Sequence, residues 1–206
     1  MNFSSIRELI IKISAIILLL ILSTVFILYT ISYRLCFSAA EKIPAFSSVM
    51  QIRFLIFGIS EDTISGKFWF YSSTGSEIAV VERSWSGSSL YIDFASASFS
   101  GKTLQFPANI HTNAANWNVS ERGHHLSKYY LKEDGCDLYR FSSKEQNQAV
   151  ARLARYALRP DWAGKSQSVG GSKHRFRQRV NLAGCESGVY YSVITDSYGN
   201  ISLIRE

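Results

Sequence analysis

Cysteine and proline are scarce in this chain, with three of each among 206 residues. So little cysteine excludes a small, disulfide-dense scaffold, and so little proline, with only thirteen glycines, excludes collagen-like and proline-rich stalks. Charged residues make up 18% of the chain and hydrophobic residues 47%, which excludes a disordered protein. The length fits one folded domain with an appendage.

The sequence also lacks the motifs that carry catalysis and metal binding. It contains no Gly-x-Ser-x-Gly elbow and no glycine-rich phosphate loop. None of the four histidines has the spacing of metal ligands, such as His-x-x-x-His. Glu82 and Asp93 lie on predicted strands, and we expect both to face solvent. We therefore assign no catalytic residue, no metal ligand and no cofactor.

One long apolar run is present near the N-terminus. Residues 13–33 carry no charge and consist mostly of Ile, Leu, Val and Phe. A helix of about 20 such residues spans the hydrocarbon core of a bilayer. We therefore predict a short tail over residues 1–12, a transmembrane helix over 13–33 and a juxtamembrane connector over 34–45.

The alternative for this run is a cleaved secretory signal, for which Ser38-Ala39-Ala40 offers a cleavage site. The apolar core of such a signal is shorter, at about 7–15 residues, so we favour a retained signal anchor. Basic residues lie on both sides of the run and do not decide its orientation. A short tail before a long domain is typical of a signal anchor. It predicts a domain outside the cytoplasm, in the periplasm or the extracellular space.

Residues 46–206 alternate short apolar runs with turns rich in serine and glycine, which is typical of a mainly β (α+β) domain. We predict an antiparallel meander. We expect the aromatic residues between Trp69 and Phe99 to fill the core of this sheet, and not to form a binding platform on its surface. The predicted strands are residues 49–57, 67–71, 78–85, 90–99, 103–106, 126–131, 137–141, 173–180, 189–194 and 201–204.

One amphipathic helix is predicted near residues 143–158. Ser142 and Glu145 have the spacing of a capping box, and Pro160 ends the pattern. We expect the apolar stripe of this helix to pack on the sheet. The stripe consists of Val150, Leu153, Ala154, Ala157 and Leu158.

Positive charge is concentrated in the last third of the chain. Residues 1–139 hold 11 basic and 11 acidic residues, whereas residues 140–206 hold 11 basic and 5 acidic, a net charge of +6. Clustered arginines suit bidentate contacts to phosphate or carboxylate. The candidate anion-binding residues are Arg152, Arg155, Arg159, Lys173, Arg175, Arg177 and Arg179.

The partner of this cluster could be an anionic lipid headgroup, a polysaccharide or an acidic protein. Nucleic acid is not expected, because no recognition motif accompanies the charge and a domain outside the cytoplasm would not meet it. The alternative is that these residues form a solvated strand face without a partner. Their charges would then prevent the edge of the sheet from pairing with another chain and aggregating.

Two cysteines, Cys136 and Cys185, lie in the predicted domain and could form a disulfide in an oxidising compartment. The alternative is that both are buried thiols. Cys36 lies at the predicted membrane boundary and would stay unpaired.

The order of an N-terminal apolar helix, an antiparallel sheet and a late disulfide loop resembles type IV pilin-like subunits. The resemblance is one of architecture only, because residues 3–8 do not match the pilin processing motif. It implies a structural or assembly subunit of an envelope complex. Our leading prediction is a single-pass, non-enzymatic binding protein whose basic third contacts an anionic partner, and an envelope enzyme without a recognisable motif is the second alternative.

Overall fold

The computed structural model describes residues 3–45, 48–112, 123–159 and 175–206. The chain divides into two units, Met1–Ser38 and Ala39–Glu206. In chain order the elements are α1 (Phe3–Lys42), β1 (Ser48–Ile59), β2 (Thr63–Tyr71), β3 (Glu77–Ser86), β4 (Leu90–Phe99), β5 (Lys102–Thr112), β6 (His124–His125), α2 (Ser127–Tyr130), α3 (Lys144–Leu158), β7 (Arg175–Asn181), β8 (Tyr190–Asp196) and β9 (Ile201–Arg205).

Helix α1 is longer than the predicted transmembrane helix, because it continues through residues 34–42 of the predicted connector. Nothing in that stretch breaks a helix, and the first proline of the chain, Pro44, follows its end. From Ile11 onward the helix is long and apolar enough, by length and composition, to cross a membrane.

Hydroxyl groups inside the apolar run of α1 are satisfied by the helix itself. The hydroxyls of Ser23 and Thr24 donate to the carbonyl of Leu20, and the hydroxyl of Thr30 donates to the carbonyl of Phe26, at 2.8–2.9 Å. Polar groups bonded in this way do not need water, so they are compatible with a lipid environment.

The β strands divide between two antiparallel sheets. The five-stranded sheet has the order β3-β2-β1-β8-β9, and the four-stranded sheet has the order β6-β5-β4-β7. The mainly β class with a packed helix is therefore confirmed, and β1, β2 and β3 form a meander. The sequence did not predict that β4 and β5 leave this meander. The β1–β8 and β4–β7 pairings join segments that are far apart in the sequence. The alternation of apolar and polar residues within a strand does not indicate which distant strand it pairs with.

The inner face of the five-stranded sheet is aromatic, and from this face the Gln51 side chain donates to the Gln105 carbonyl of the four-stranded sheet at 2.9 Å. The rings of Phe68 and Tyr191 stack on Phe54 at 5.3 and 5.5 Å, and Trp85 meets Phe68 edge-on. Burial of these large rings and their geometry both stabilise the domain. Phe70, Phe94 and Phe99 are also buried, as the sequence predicts, whereas Trp69 and Tyr71 are only half-buried.

Helix α3 covers the other side of the four-stranded sheet, where it packs on β4, β5 and β7. Its N-cap is Ser143, one residue after the predicted position, and the Ser143 hydroxyl accepts from the Glu145 N–H at 3.2 Å. Of the predicted stripe, Leu158 is half-buried. The buried members are Val150, Leu153, Ala154 and Ala157.

Two predicted strands are wrong. Residues 126–131 form the short helix α2, and residues 137–141 contain no strand. The buried Tyr130 and Tyr139 explain the apolar pattern there, because their hydroxyls donate to the carbonyls of Pro107 and Gln105 in the core. A short helix and a turn thus each contribute a tyrosine to the core.

Candidate functional site

The described candidate anion-binding residues lie on or directly after helix α3 and on strand β7, and α3 packs on the sheet that contains β7. Strand β7 is an edge strand beside β4, in a register that sets Arg177 opposite Ala95 and Arg179 opposite Asp93. Cross-strand partners point to the same face of a sheet. Phe99 lies on that face too, and its ring meets Tyr156 of α3 at 5.3 Å. Helix α3 and the side chains of Arg177 and Arg179 therefore lie on the same side of the four-stranded sheet.

We call this region the arginine surface and define it by five exposed residues. Its members are Arg152, Arg155, Arg159, Arg177 and Arg179. The predicted Lys173 lies outside the described residues, and Arg175 lies on β7 opposite Ala97.

Two of these arginines are held by the domain. Arg155 donates to the backbone carbonyls of Lys132 at 2.7 Å and Glu133 at 2.5 Å, which fixes its guanidinium over the turn after α2. Arg179 donates from Nε to Asp93 Oδ1 at 2.7 Å. By contrast, Arg152 and Arg177 form no hydrogen bond or ion pair within the part of the chain that the structure describes. Their guanidinium groups are open to a ligand.

Asp93 is the centre of a charged cluster that the sequence analysis missed. Its side chain is only 13% exposed, so the expectation that it faces solvent is wrong, whereas Glu82 is 56% exposed as expected. His111 Nε2 lies 3.0 Å from Asp93 Oδ2, and Tyr91 stacks on His111 at 5.6 Å. The Arg179 guanidinium lies 5.3 Å over the Tyr91 ring.

Burial by itself would raise the pKa of Asp93. The hydrogen bonds from His111 and Arg179, and the positive charge of both groups, outweigh burial and leave this pKa below its ordinary value. Asp93 is therefore a carboxylate at neutral pH, and it neutralises Arg179 from below the arginine surface. The two partners are 18 and 86 residues away along the chain, so no local pattern could have indicated the cluster.

The geometry of His111 does not suit acid–base catalysis. Its Nε2 faces the Asp93 carboxylate, and its Nδ1 faces the backbone carbonyl of Thr112 at 3.3 Å. Both neighbours carry oxygen atoms that accept hydrogen bonds, so both ring nitrogens face groups of the domain itself. Neither ring nitrogen is left to exchange a proton with a substrate.

Cys36, Cys136 and Cys185 are all buried, and none of them forms a disulfide. The disulfide that the sequence allows between Cys136 and Cys185 is not formed in the structure. Burial raises the pKa of the Cys136 thiol to about 12 and that of the Cys185 thiol to about 11. Both thus match the alternative of buried, unreactive thiols.

No group of three or more His, Cys, Asp or Glu side chains that could hold a metal ion occurs among the described residues. His124 lies between Arg83 and Tyr129, with Nδ1 3.2 Å from the Arg83 guanidinium and Nε2 2.7 Å from the Tyr129 hydroxyl. Burial and the nearby positive charges of Lys128 and Arg83 lower the pKa of His124. Since arginine only donates, Nδ1 is the acceptor and the ring is neutral.

Comparison of the chain with protein-family models, with curated proteins and with solved structures found no match.

Proposed function

We propose that this protein is a single-pass membrane protein whose β domain lies outside the cytoplasm and binds an anionic partner at the arginine surface. The observation that supports this proposal is the state of Arg152 and Arg177. Both side chains are exposed and uncommitted, on the side of the four-stranded sheet that α3 covers. Asp93 already neutralises the neighbouring Arg179, so it is not available to them.

Membrane anchoring rests on the length and composition of α1 and on its internally bonded hydroxyls. The location of the domain outside the cytoplasm is the part of the proposal that assumes α1 is a signal anchor followed by its domain. In that compartment the available anions are lipid headgroups, acidic polysaccharides and acidic proteins. Guanidinium groups recognise the phosphate or carboxylate groups of all three.

The binding test uses full-length protein in a neutral, non-ionic detergent and three probes. The probes are vesicles containing anionic phospholipid, a sulfated polysaccharide and poly-glutamate. We expect one of the three to bind, with an affinity that falls as salt rises. For that probe the double substitution Arg152→Ala, Arg177→Ala should weaken binding roughly thirtyfold at low salt, since each charge contributes about 1 kcal/mol. It should also flatten the salt dependence.

The matched control is Arg205→Ala on β9. This change also removes an exposed guanidinium, from a strand of the other sheet, where Arg205 pairs with Glu186 at 2.7 Å. It should leave affinity and salt dependence as in the parent protein. The proposal fails if none of the probes binds, or if the double substitution alters neither quantity.

A further inference from the structure

We infer that the outer face of the five-stranded sheet is a self-association surface that binds a second copy of this chain. The outer face is the side turned away from the four-stranded sheet. Strand β2 shows the two sides clearly, because Ile64, Phe68 and Phe70 are buried whereas Lys67 and Trp69 are not. The register extends the outer face across all five strands. Its apolar members are Leu55, Trp69, Val80, Tyr190 and Ile204.

Neither α2 nor α3 covers this face. Helix α2 packs on β3 and β5, and its Tyr129 stacks on the inward-facing Phe70, while α3 packs on the four-stranded sheet. Val80 and Tyr190 therefore stay 39% exposed and Ile204 stays 45% exposed. Exposed apolar side chains that cluster on one face mark an interaction surface. Tryptophan, tyrosine and arginine are also the residue types that are enriched at the centres of protein interfaces.

The charges on the outer face indicate which partner it fits. The Arg53 guanidinium pairs with the Glu206 carboxylate at 2.6 Å, and the Lys67 ammonium pairs with the Glu82 carboxylate at 2.9 Å. These two pairs leave the centre of the face without net charge, although the chain has a net charge of +6. An anionic partner gains nothing there, whereas a second neutral face of the same kind is not repelled.

The aromatic rings of the outer face are not arranged as a platform for sugars. Trp69 and Tyr190 approach each other to 5.9 Å, the Arg53 guanidinium lies 4.4 Å over the Tyr190 ring, and the Lys67 ammonium lies 5.5 Å over the Trp69 ring. A sugar stacks on a free ring face, and here cations occupy one face of each ring. The rings and the cations over them instead form a continuous surface, on which a second sheet of the same kind can pack.

The size of the outer face is sufficient for a stable dimer. Five strands at about 4.8 Å spacing are about 24 Å wide, and strands of about nine residues are about 30 Å long. Each copy would thus bury about 700 Å², and the pair about 1,400 Å², which lies within the range of specific interfaces.

The test measures the mass of the full-length protein in mild non-ionic detergent at micromolar concentration. The parent protein should be a dimer. The double substitution Val80→Glu, Ile204→Glu should weaken the dimer at least a hundredfold, because it brings four like charges into the interface. Both sites are exposed and lie on the edge strands, so the domain should keep its circular dichroism spectrum and melting temperature.

Leu203→Glu provides the matched control. Leu203 is 39% exposed on the same edge strand but pairs with the buried Val193, so it points to the opposite face. This variant should remain a dimer. If the glutamate pair disturbs the fold, Val80→Ser with Ile204→Ser removes apolar surface without charge and should weaken the dimer about tenfold. The inference is overturned by a monomeric parent protein, or by a dimer that both outer-face variants leave as tight as before, which would assign association to α1 or another surface.

Discussion

Asp93 combines two roles that are seldom found in one residue. It is a buried carboxylate on β4, and it also sets the charge of the arginine surface by neutralising Arg179. The two side chains that reach it, Arg179 and His111, come from β7 and β5, the strands on either side of β4. Asp93 therefore joins three strands of the four-stranded sheet through side chains as well as through the backbone.

We predict that Asp93→Asn reduces the free energy of unfolding by about 2–3 kcal/mol at neutral pH, because the buried His111 loses a charged acceptor. The pKa of Asp93 is lowered in the folded state, so its charge stabilises the fold fully above about pH 5, one pH unit above the pKa of an unfolded aspartate. This stabilisation is lost as pH falls through the folded-state pKa. The difference between parent and variant, measured by denaturant unfolding, should therefore shrink between pH 5 and about pH 3.

Asp134→Asn is the control for this prediction, since Asp134 is an exposed acid in the turn after α2. It should change the free energy of unfolding little at any pH. A destabilisation by Asp93→Asn that stayed constant from pH 7 down to pH 3 would show that the carboxylate charge is not what His111 and Arg179 require.

The β8–β9 turn is the element that links the two sheets at one end. The carbonyl of Ser197 accepts from the Thr103 N–H at 2.8 Å, and the carbonyl of Gly199 accepts from Gln105 Nε2 at 2.8 Å. Gln105 also bonds to Ser96 Oγ and Gln178, so a buried amide connects the turn with β4, β5 and β7. Close approach of this turn to β5 requires a residue without a side chain at position 199.

Gly199→Ala tests this role of the turn. A Cβ at position 199 would lie 2.5 Å from Thr103 Cγ2, and the φ of +87° favours glycine in any case. Gly75, in the β2–β3 turn, has a similar φ of +79° but nothing within 4 Å of an added Cβ. We expect Gly75→Ala to lower the free energy of unfolding by about 1 kcal/mol, from backbone strain alone. Gly199→Ala should lower it by about 3 kcal/mol, because overpacking adds to the strain.

Urea unfolding of the two variants under the same conditions provides the comparison. The pair isolates the contact with Thr103, since φ is nearly the same at the two glycines. Equal losses of stability would mean that the turn can move away from β5 without weakening the domain.

Elements with a local pattern could be predicted from the sequence, and elements fixed by distant contacts could not. Strand β4 and helix α3 match their predictions closely. Strand β4 was predicted from a run of apolar residues between turns, and α3 from an apolar stripe that ends before Pro160. Both patterns depend only on residues that are close together in the sequence. Residues 126–131 were misread as a strand because their apolar residues fill the core from a short helix. The arginines of the candidate site were visible as a charge cluster, but the Asp93–Arg179 pair arises from a strand pairing that joins residues 86 positions apart.

The two sheets give the whole molecule two surfaces of different chemistry. The side of the four-stranded sheet that α3 covers carries the exposed, uncommitted arginines, and the outer face of the five-stranded sheet is neutral and aromatic. An anionic ligand and a second copy would therefore use separate surfaces. Variants of one surface should leave the function of the other intact, which makes the two proposals separately testable.

The orientation of the protein in the membrane can be tested with a thiol that the fold leaves accessible. The natural cysteines are unsuitable, because all three are buried and the pKa of Cys136 and Cys185 is raised to about 12 and about 11. At pH 7.5 fewer than about one in a thousand of these two thiols is the reactive thiolate. Tyr198, in the β8–β9 turn, is 79% exposed, so Tyr198→Cys adds one reactive site.

We predict that a membrane-impermeant maleimide labels the Tyr198→Cys variant in intact cells, because a signal anchor leaves the domain outside the cytoplasm. The parent protein should stay unlabelled until it is unfolded, since its own thiols are buried. Labelling of the variant that requires permeabilised cells would place the domain in the cytoplasm. The arginine surface would then face cytoplasmic anions, nucleic acid included, and the extracytoplasmic partners proposed above would be excluded.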